Sequence, residues 1–242
     1  MSFFKLSELK KLKKNGVVFE DIKSVKISDD CIIDHGTFVG KNVTIENNSQ
    51  LHFGAKILQN SNIRNSIIGE NTVVNISEIT DSEVGKNCTI GPFSHIKMGS
   101  SLGDNIRVGN FVEIKSSKIG NSTKAAHLAY IGNATIGNNV NIGCGVVFAN
   151  YDGKKKHHTT VGDGVFIGCN CNLIAPITIG DNVFIAAGTT VTKDVPEGNF
   201  CIGRSKATTK ERVIKDWFSL FQLLLLWLLF ALLCGLLKCL FL

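Results

Sequence analysis

The 242-residue sequence contains only three prolines and no Cys-x-x-Cys pair. Its 24 glycines and its many isoleucines, valines and asparagines disfavour long helices and favour short strands joined by tight turns. The eight cysteines are scattered and lack the close pairing of a zinc or redox motif, so we predict that they are reduced, small apolar residues of a cytosolic protein. Cys169 and Cys171 are two residues apart, which predicts that they share one face of a strand.

The net charge is +6, and the basic residues occur in runs such as "KLSELKKLKK" and "GKKKHH". Such runs indicate either a solvated surface or a local site for an anionic partner, and we expect no nucleic-acid partner. The first residues are charged and have no long apolar core, so we predict no secretory signal there. Within a lead-in segment, residues 1–24, the leucines Leu6, Leu9 and Leu12 predict a short helix that Ser7 caps.

An aliphatic or small apolar side chain recurs every five or six residues through most of the chain. Its positions are Ile27, Ile33, Val39, Ile45, Leu51, Ile57, Ile63, Ile68, Val74, Val84, Ile90, Ile96, Leu102, Val108, Ile114, Ile119, Ala125, Ile131, Ile136, Ile142, Phe148, Val161, Ile167, Leu173, Ile179, Ile185 and Val191. This period predicts an all-β fold over residues 25–205, a parallel β-helix in which these side chains point inward and stack on their equivalents in neighbouring coils. Side chains outside this frame must project outward, and the longest interruption carries "ANYDGKKKHHTT".

The composition changes near Lys206, where a basic linker, residues 206–216, precedes an uncharged run from Trp217 to Leu237. At ~1.5 Å per residue, about 20 such residues span the ~30 Å hydrocarbon core of a bilayer. We therefore predict an apolar C-terminal helix, residues 217–242, that anchors the protein to the cytoplasmic membrane. Basic residues before this helix would keep the main domain in the cytoplasm. The alternative is an apolar helix buried in an oligomer.

Six stretches follow one another in the order "TIGPF", "VGNFVEIK", "STKAAHLAYIG", "IGNNVNIGCG", "NYDGKKK" and "IAPITIGDNVFIAAGTTVTKDV". Together they resemble the acetyltransferase domain of the bacterial bifunctional N-acetylglucosamine-1-phosphate uridyltransferase/glucosamine-1-phosphate N-acetyltransferases, over residues 15–212. The resemblance implies a left-handed β-helix and a homotrimer whose sites are shared between subunits. It also implies acetyl transfer from acetyl-CoA to the amino group of glucosamine 1-phosphate, with no metal required.

The resemblance assigns roles to individual residues. His127, in the motif "KAAHL", corresponds to the general base, a role that suits an imidazole because its proton exchanges near neutral pH. The contacts to the sugar phosphate correspond to Lys97, Lys115, Tyr130, Asn141 and Lys156. The contacts to acetyl-CoA correspond to Asn150, Tyr151, Cys169, Ala187 and Arg204. We expect Asn150 to donate a hydrogen bond to the developing oxyanion.

The sequence departs from the family in three respects. Lys97 replaces the usual arginine, which keeps the positive charge but loses the two-pronged guanidinium. Cys169 replaces a serine that is usual near acetyl-CoA. No glycine-rich nucleotide loop precedes the repeats, so we expect the nucleotidyl transfer that makes a UDP-sugar to need a separate uridyltransferase.

Three other functions stay open. Because of the change at Lys97, the acceptor could instead be another aminosugar phosphate or a sugar nucleotide. A zinc enzyme resembling the γ-type carbonic anhydrases would need three converging imidazoles, and the candidate histidines are dispersed along the chain. A catalytically inactive, membrane-anchored β-helix scaffold has no reason to retain "NYDG", His127, Tyr130 and Arg204 together.

The membrane anchor can be tested by fractionation. We expect the full-length protein to sediment with membranes and to be released by detergent, because residues 217–237 carry no charge and are apolar on all sides of a helix. A variant that ends at residue 216 is the control and should remain in the supernatant. Full-length protein in a detergent-free supernatant would contradict the prediction.

Overall fold

The computed structural model describes residues 2–210 and four single positions beyond them, residues 222, 225, 226 and 229. The predicted apolar helix, residues 217–242, lies outside the described residues except at those four positions. Among the residues that are described, no helix is long and apolar enough to cross a membrane. The chain divides into two units, Met1–Arg204 and Ser205–Leu242, and the repeats lie in the first.

Residues 2–210 form one helix, α1 (Leu6–Lys14), and 28 short strands. The strands of its first half are β1 (Val18–Phe19), β2 (Lys26–Ile27), β3 (Ile32–Ile33), β4 (Phe38–Val39), β5 (Thr44–Glu46), β6 (Gln50–Leu51), β7 (Lys56–Ile57), β8 (Asn62–Arg64), β9 (Ile67–Ile68), β10 (Val73–Val74), β11 (Glu78–Thr80), β12 (Glu83–Val84), β13 (Thr89–Ile90), β14 (His95–Lys97) and β15 (Ser101–Leu102). The remaining strands are β16 (Arg107–Lys115), β17 (Lys118–Ile119), β18 (Lys124–Gly132), β19 (Ala134–Ile136), β20 (Asn141–Ile142), β21 (Val147–Ala149), β22 (Thr159–Val161), β23 (Phe166–Ile167), β24 (Asn172–Ile174), β25 (Ile177–Ile179), β26 (Phe184–Ile185), β27 (Thr190–Val191) and β28 (Phe200–Cys201).

These strands wind into a left-handed parallel β-helix with three faces, which confirms the predicted fold of the repeats. Face A contains β1, β4, β7, β10, β13, the start of β16, the start of β18, β20, β23, β26 and β28. Face B contains β2, β5, β8, β11, β14, the end of β16, the end of β18, β21, β24 and β27. Face C contains β3, β6, β9, β12, β15, β17, β19, β22 and β25. Only β16 and β18 run from one face into the next, through the corner between faces A and B, which we call the A–B corner.

The interior of the β-helix is filled by the aliphatic frame. All of the inward positions predicted from the period are buried, and each pairs in register with its equivalent one coil away, as Ile57 does with Val74. Ile79 fills the one gap that the predicted frame left between Val74 and Val84, and it too is fully buried. Because the interior is occupied by stacked side chains, any chemistry must take place on the outer surface.

The A–B corner carries an unusual run of bulky residues. Four bulky residues occupy it in successive coils with a positive φ: Ile76 (+41°), Phe93 (+59°), Phe111 (+57°) and Leu128 (+38°). Bulky residues rarely adopt this left-handed conformation, which most turns give to glycine or asparagine. Phe93 and Phe111 stack with ring centroids 5.4 Å apart, and both are more than half exposed. The corner is therefore an apolar outer surface.

The start of the helix differs from the prediction. Helix α1 begins at Leu6, and the backbone N–H of Lys5 donates to the Glu8 carboxylate at 2.7 Å. Ser7 lies inside the first turn and caps nothing, so the predicted cap is wrong. A carboxylate in the first turn of a helix can accept a hydrogen bond from the free backbone N–H of the residue before the helix. Glu8 has this role here, and the sequence-based prediction did not include it. Leu9 is buried, whereas Leu6 is exposed.

The cysteines also differ in part from the prediction. Cys31, Cys88 and Cys171 are buried and reduced, as predicted for small apolar residues. Cys169 and Cys171 do not share a face, because Asn170 between them has φ +55° and turns the chain, which leaves Cys169 exposed and Cys171 inside. Cys144 is exposed as well. Two thiols are therefore available on the outer surface.

The contribution of the stacked interior can be measured at Phe148, which is fully buried on β21. Phe148→Ala should lower the free energy of unfolding by about 3–5 kcal/mol, since it leaves a cavity between coils. Phe200→Ala is the matched control because Phe200 is exposed and stacks only on Phe184, so it should cost about 0.5–1.5 kcal/mol. Urea denaturation followed by circular dichroism measures both, and equal losses would contradict the assignment of Phe148 to the core.

Candidate functional site

His127 lies on β18 where this strand passes through the A–B corner. It pairs in register with Asn110 of β16, and its side chain is exposed. Within residues 2–210, the imidazole forms no side-chain hydrogen bond. The opening of β18 toward solvent at this point follows from the left-handed turn at Leu128, which directs the preceding side chain outward. The imidazole of His127 is therefore exposed at the A–B corner.

Backbone hydrogen bonds place three further residues in line with His127. Gly145 N donates to Leu128 O at 2.7 Å, Asn170 N donates to Cys144 O at 2.8 Å, and Gly188 N donates to Cys169 O at 2.8 Å. Because these turns are in register, His127, Cys144, Cys169 and Ala187 follow one another in successive coils at the A–B corner. We call this row the His127 column.

The His127 column ends at an arginine. Arg204 Nη1 donates to the carbonyl oxygen of Ala187 at 2.7 Å, so its guanidinium lies at the upper end of the column. Neighbouring parallel strands are ~4.8 Å apart, so three coil steps separate His127 from Ala187 by about 14 Å. Cys169, Ala187 and Arg204, which sequence reasoning assigned to one ligand, are thus brought together with His127 on one outer edge.

A second group lies on face B. Lys97, Lys115 and Gly132 occupy equivalent positions on β14, β16 and β18. The side chain of Lys156, from the loop between β21 and β22, meets that of Lys115, and the adjacent ammonium lowers the pKa of Lys156. No carboxylate in residues 2–210 forms an ion pair with either of these two lysines. We call Lys115 and Lys156 the lysine pair; two such cations without a counterion form a site for an anion.

Lys97 does not belong to the lysine pair. Its ammonium binds Glu113 Oε1 at 3.0 Å and lies 3.4 Å from His95 Nδ1. Glu113 neighbours Tyr130 in register, so the carboxylate holds Lys97 along face B beside the tyrosine. The positive charge at the position that departs from the family pattern is therefore already compensated within the chain. Sequence reasoning did not identify Glu113.

Tyr130 and Asn150 meet over Gly132. A Cβ atom on Gly132 would lie 2.5 Å from Tyr130 Oη and 2.7 Å from Asn150 Nδ2, so glycine is required for both side chains to occupy their positions. Asn150 is only 5% exposed, and its Nδ2 donates to Asn133 Oδ1 at 2.7 Å. One amide proton of Asn150 is thus used within the chain and the second is left for a ligand, and its role at an oxyanion stays a prediction.

The loop between β21 and β22 is shaped by Asp152. Its Oδ1 accepts hydrogen bonds from the backbone N–H groups of Lys154 and Lys155, both at 2.8 Å, and its Oδ2 contacts His157 Nε2 at 2.6 Å. These hydrogen bonds hold the pKa of Asp152 well below its usual range. Tyr151 and Lys156 form an antiparallel bridge across the loop. Asp152 therefore fixes the loop in a conformation that directs Lys156 toward face B. The pair Asp152–Gly153 is a turn signal that the sequence analysis did not use.

The predicted site residues fall into two groups and one outlier. Lys97, Lys115, Tyr130, Asn150, Tyr151 and Lys156 lie on face B or in its loop, whereas His127, Cys169, Ala187 and Arg204 form the A–B edge. Strand β18 carries both His127 and Tyr130 and so joins the two groups. Asn141 lies on face A, where it pairs with Lys124 and Phe166. Sequence reasoning missed Glu113, Gly132, Asn133, Cys144 and Asp152.

A zinc site needs three or four histidine, cysteine or carboxylate side chains that converge on one ion. Within the part of the chain that the structure describes, no three histidine, cysteine or carboxylate side chains converge on one point. His157 and His158 are adjacent in sequence but diverge, since His157 contacts Asp152 and His158 contacts Thr135. The three converging imidazoles of a zinc site are therefore not found among these residues.

Comparisons with known proteins agree with the fold. The family model "Bacterial transferase hexapeptide (six repeats)" matches residues 158–193, and the model "GMPPB C-terminal domain" matches residues 17–119. The "Bifunctional protein GlmU" of Clostridium botulinum is 46% identical over 197 residues, which cover 81% of this chain and 43% of the relative. The protein of the same name from Clostridium acetobutylicum is 44% identical over 198 residues, with 82% and 43% covered.

A solved structure supports the architecture alone. The structure described as "Activity and Crystal Structure of Arabidopsis UDP-N-acetylglucosamine acyltransferase" is 22% identical, with a TM-score of 0.51, and covers 72% of this chain and 68% of its own. Together these matches define a hexapeptide-repeat β-helix protein. Within that class, the chain is similar to the acetyltransferase domain of the GlmU proteins, which confirms the resemblance carried by the six sequence motifs. The chain spans less than half the length of these GlmU relatives.

The lysine pair can be tested with inorganic phosphate. Phosphate should raise the melting temperature of the full chain, since binding to the native state stabilises it. Lys156→Ala should weaken binding by roughly tenfold or more, because it removes one of the two ammonium groups that would hydrogen-bond to the anion. Lys118→Ala, at an exposed lysine on face C, is the control. A phosphate response that Lys156→Ala leaves unchanged would contradict an anion site here. Binding should also weaken as the pH rises through the lowered pKa of Lys156.

Proposed function

We propose that this protein transfers an acetyl group from acetyl-CoA to the amino group of glucosamine 1-phosphate. The observation that carries the proposal is the place of His127 on β18: it stands between the lysine pair on face B and the row of residues that leads to Arg204. A base that lies between an anion site and an extended outer edge suits the transfer of an acyl group from a long thioester to a phosphorylated amine. The 46% identity to a GlmU protein supports the same reaction class.

The acceptor is held by its phosphate. Lys115 and Lys156 supply two positive charges with no carboxylate partner in the described chain, so a phosphate dianion relieves their mutual repulsion when it binds. Tyr130, beside them on face B, then contacts the sugar and directs its amino group toward the A–B corner. Neutral His127 accepts a proton from the amine, which becomes nucleophilic and attacks the thioester carbonyl.

Acetyl-CoA fits the other group. The row above His127 is exposed and presents small side chains at Cys169 and Ala187, which leave room for an extended arm. Arg204, fixed to Ala187 by its hydrogen bond, provides a cation for the phosphates at the far end of acetyl-CoA. The second amide proton of Asn150 is our candidate donor to the oxyanion that forms during attack. No step in this scheme uses a metal.

The acceptor could also be another aminosugar phosphate. Lys97 replaces the family's arginine and is neutralised by Glu113, so it offers less to a phosphate than the arginine would. A sugar with a different substituent near face B is therefore the second candidate. Comparing acceptors in one assay separates the two.

We propose further that the active assembly is a homotrimer. Phe93, Phe111 and Leu128 are exposed at the same corner as His127, and an apolar outer patch of this kind is stabilised when a second copy covers it. Packing at this corner would close the His127 column from water. It would also bring a neighbour's residues to the site, which is how Asn141, remote on face A within one chain, would join it.

The reaction is tested by following thiol release from acetyl-CoA with the full-length protein and glucosamine 1-phosphate. We expect steady turnover, and a fall of about 10²–10⁴-fold in kcat for His127→Ala, the usual contribution of a general base. His158→Ala is the matched control, because His158 is an exposed imidazole that hydrogen-bonds to Thr135. Gly132→Ala should also reduce activity, since the added methyl group displaces Tyr130 and Asn150.

The outcomes separate the candidate functions. Turnover with another aminosugar, but none with glucosamine 1-phosphate, would favour the altered acceptor. No turnover with any amine, combined with no rise in melting temperature on adding CoA, would leave an inactive β-helix scaffold and overturn the proposal. Equal activity of His127→Ala and the parent would remove His127 from the mechanism.

A further inference from the structure

The basic run at residues 153–158, "GKKKHH", lies in the loop between β21 and β22, and the proposed function uses only Lys156 from it. Most of this run is exposed to solvent, but His157 is partly buried, with 20% of its side chain accessible. Its backbone N–H also donates to Asn150 O at 2.7 Å. His157 therefore belongs to the framework of the loop rather than to its solvated surface.

The imidazole of His157 closes the loop through Asp152. Its Nε2 lies 2.6 Å from Asp152 Oδ2, whereas Oδ1 of the same carboxylate accepts the backbone N–H groups of Lys154 and Lys155. One carboxylate near the start of the loop thus holds both its middle and its end. Hydrogen bonds to an ionised acceptor are stronger than those between neutral groups. We call Asp152 and His157 the loop clasp.

The loop clasp surrounds Lys156. This lysine directly precedes His157 and forms an antiparallel bridge with Tyr151, which directly precedes Asp152. Its side chain meets that of Lys115, and the two ammonium groups repel each other. Because Lys156 is exposed, a loop without internal restraint would carry its ammonium away from Lys115 into solvent. The clasp and the bridge oppose that movement, so the two charges stay together.

We propose that His157 is a positioning residue: through Asp152 it holds Lys156 beside Lys115, so that the lysine pair is assembled before a phosphate binds. This inference rests on the proposed function, since the phosphate is that of the acceptor. A site whose charges are already in place binds its ligand more tightly, because the cost of ordering them is met on folding. His157 touches neither substrate in this scheme, so it sets the affinity for the acceptor and leaves the chemical step at His127 unchanged.

The expected effect has an upper limit. Because His157 acts only through Lys156, removing its imidazole costs no more affinity than Lys156→Ala, for which we expect roughly tenfold or more. The clasp is also partly exposed, with 20% of the His157 side chain and 41% of the Asp152 side chain accessible, so solvent screens it. We therefore expect His157→Ala to raise KM for glucosamine 1-phosphate by about three- to tenfold, with kcat unchanged.

The first arm of the test measures kcat and KM of the full-length protein at saturating acetyl-CoA. His157→Gln should keep the KM of the parent, because the glutamine amide supplies an N–H for Asp152 in place of the imidazole. His158→Ala is the matched control, since the neighbouring imidazole hydrogen-bonds to Thr135 outside the clasp. All variants should melt at the parent temperature. A fall in kcat for His157→Ala with KM unchanged would overturn the positioning role.

The second arm is a double-mutant cycle with Lys156→Ala. If His157 acts through Lys156, then adding His157→Ala to the Lys156→Ala protein should raise KM no further, because the residue that the clasp positions is already gone. A general loss of loop structure would instead add its effect to that of Lys156→Ala. Equal increments of KM in the two backgrounds would therefore contradict the inference.

The third arm uses inorganic phosphate and needs no turnover, so it separates failure of this inference from failure of the proposed function. Phosphate should raise the melting temperature of the parent and His157→Gln alike, and should do so only at about three- to tenfold higher concentration for His157→Ala. If these shifts appear while no amine is acetylated, the clasp stands and the proposed reaction has failed. If the amine is acetylated but His157→Ala matches the parent in both KM and phosphate response, the clasp is overturned and the reaction stands.

Discussion

The structure depends on one repeated contact, the stacking of an inward aliphatic side chain on its equivalent in the next coil. Residues such as Ile57 and Val74 pair in register across parallel strands, and this pairing is repeated on all three faces. Each contact is small, but the hydrophobic gain is proportional to the area removed from water, and the repeats sum it along the axis. The same contact fixes the spacing of everything outside, because outward residues inherit the register of inward ones.

Much of the fold could be predicted because the inward residues are aliphatic and recur every five or six positions in the sequence. Every predicted frame position is buried. The period did not identify Phe19, which pairs with Val39 at the start of the β-helix, or Ile79, where the repeats shorten. The cap of helix α1 could not be read from spacing, since it depends on the Glu8 carboxylate reaching the backbone of Lys5. Likewise, Cys169 and Cys171 point to different sides because Asn170 between them has a left-handed conformation. The alternation of side chains along a strand, from which a shared face was predicted, does not take such a turn into account.

The candidate site was only partly accessible from sequence. His127 and Lys115 were identified because the family resemblance named their roles, which remain proposals. Cys144 did not stand out, because a cysteine fits the small-residue slot of the repeat and its neighbourhood with His127 exists only once the coils are stacked. Gly132 was not identified from the sequence either, because it matters only through the space that its missing side chain leaves for Tyr130 and Asn150.

The hydrogen bond from Arg204 to Ala187 fixes the distance between the guanidinium and His127 along the outer edge. The cation is tied to a particular coil, and His127 belongs to another, so the distance between charge and base is a whole number of coil steps of ~4.8 Å each. No gradual adjustment of a side chain can change that number. Deleting or inserting one complete coil between β20 and β26 would keep the interior stacking intact while shifting the length of ligand that fits by a single step.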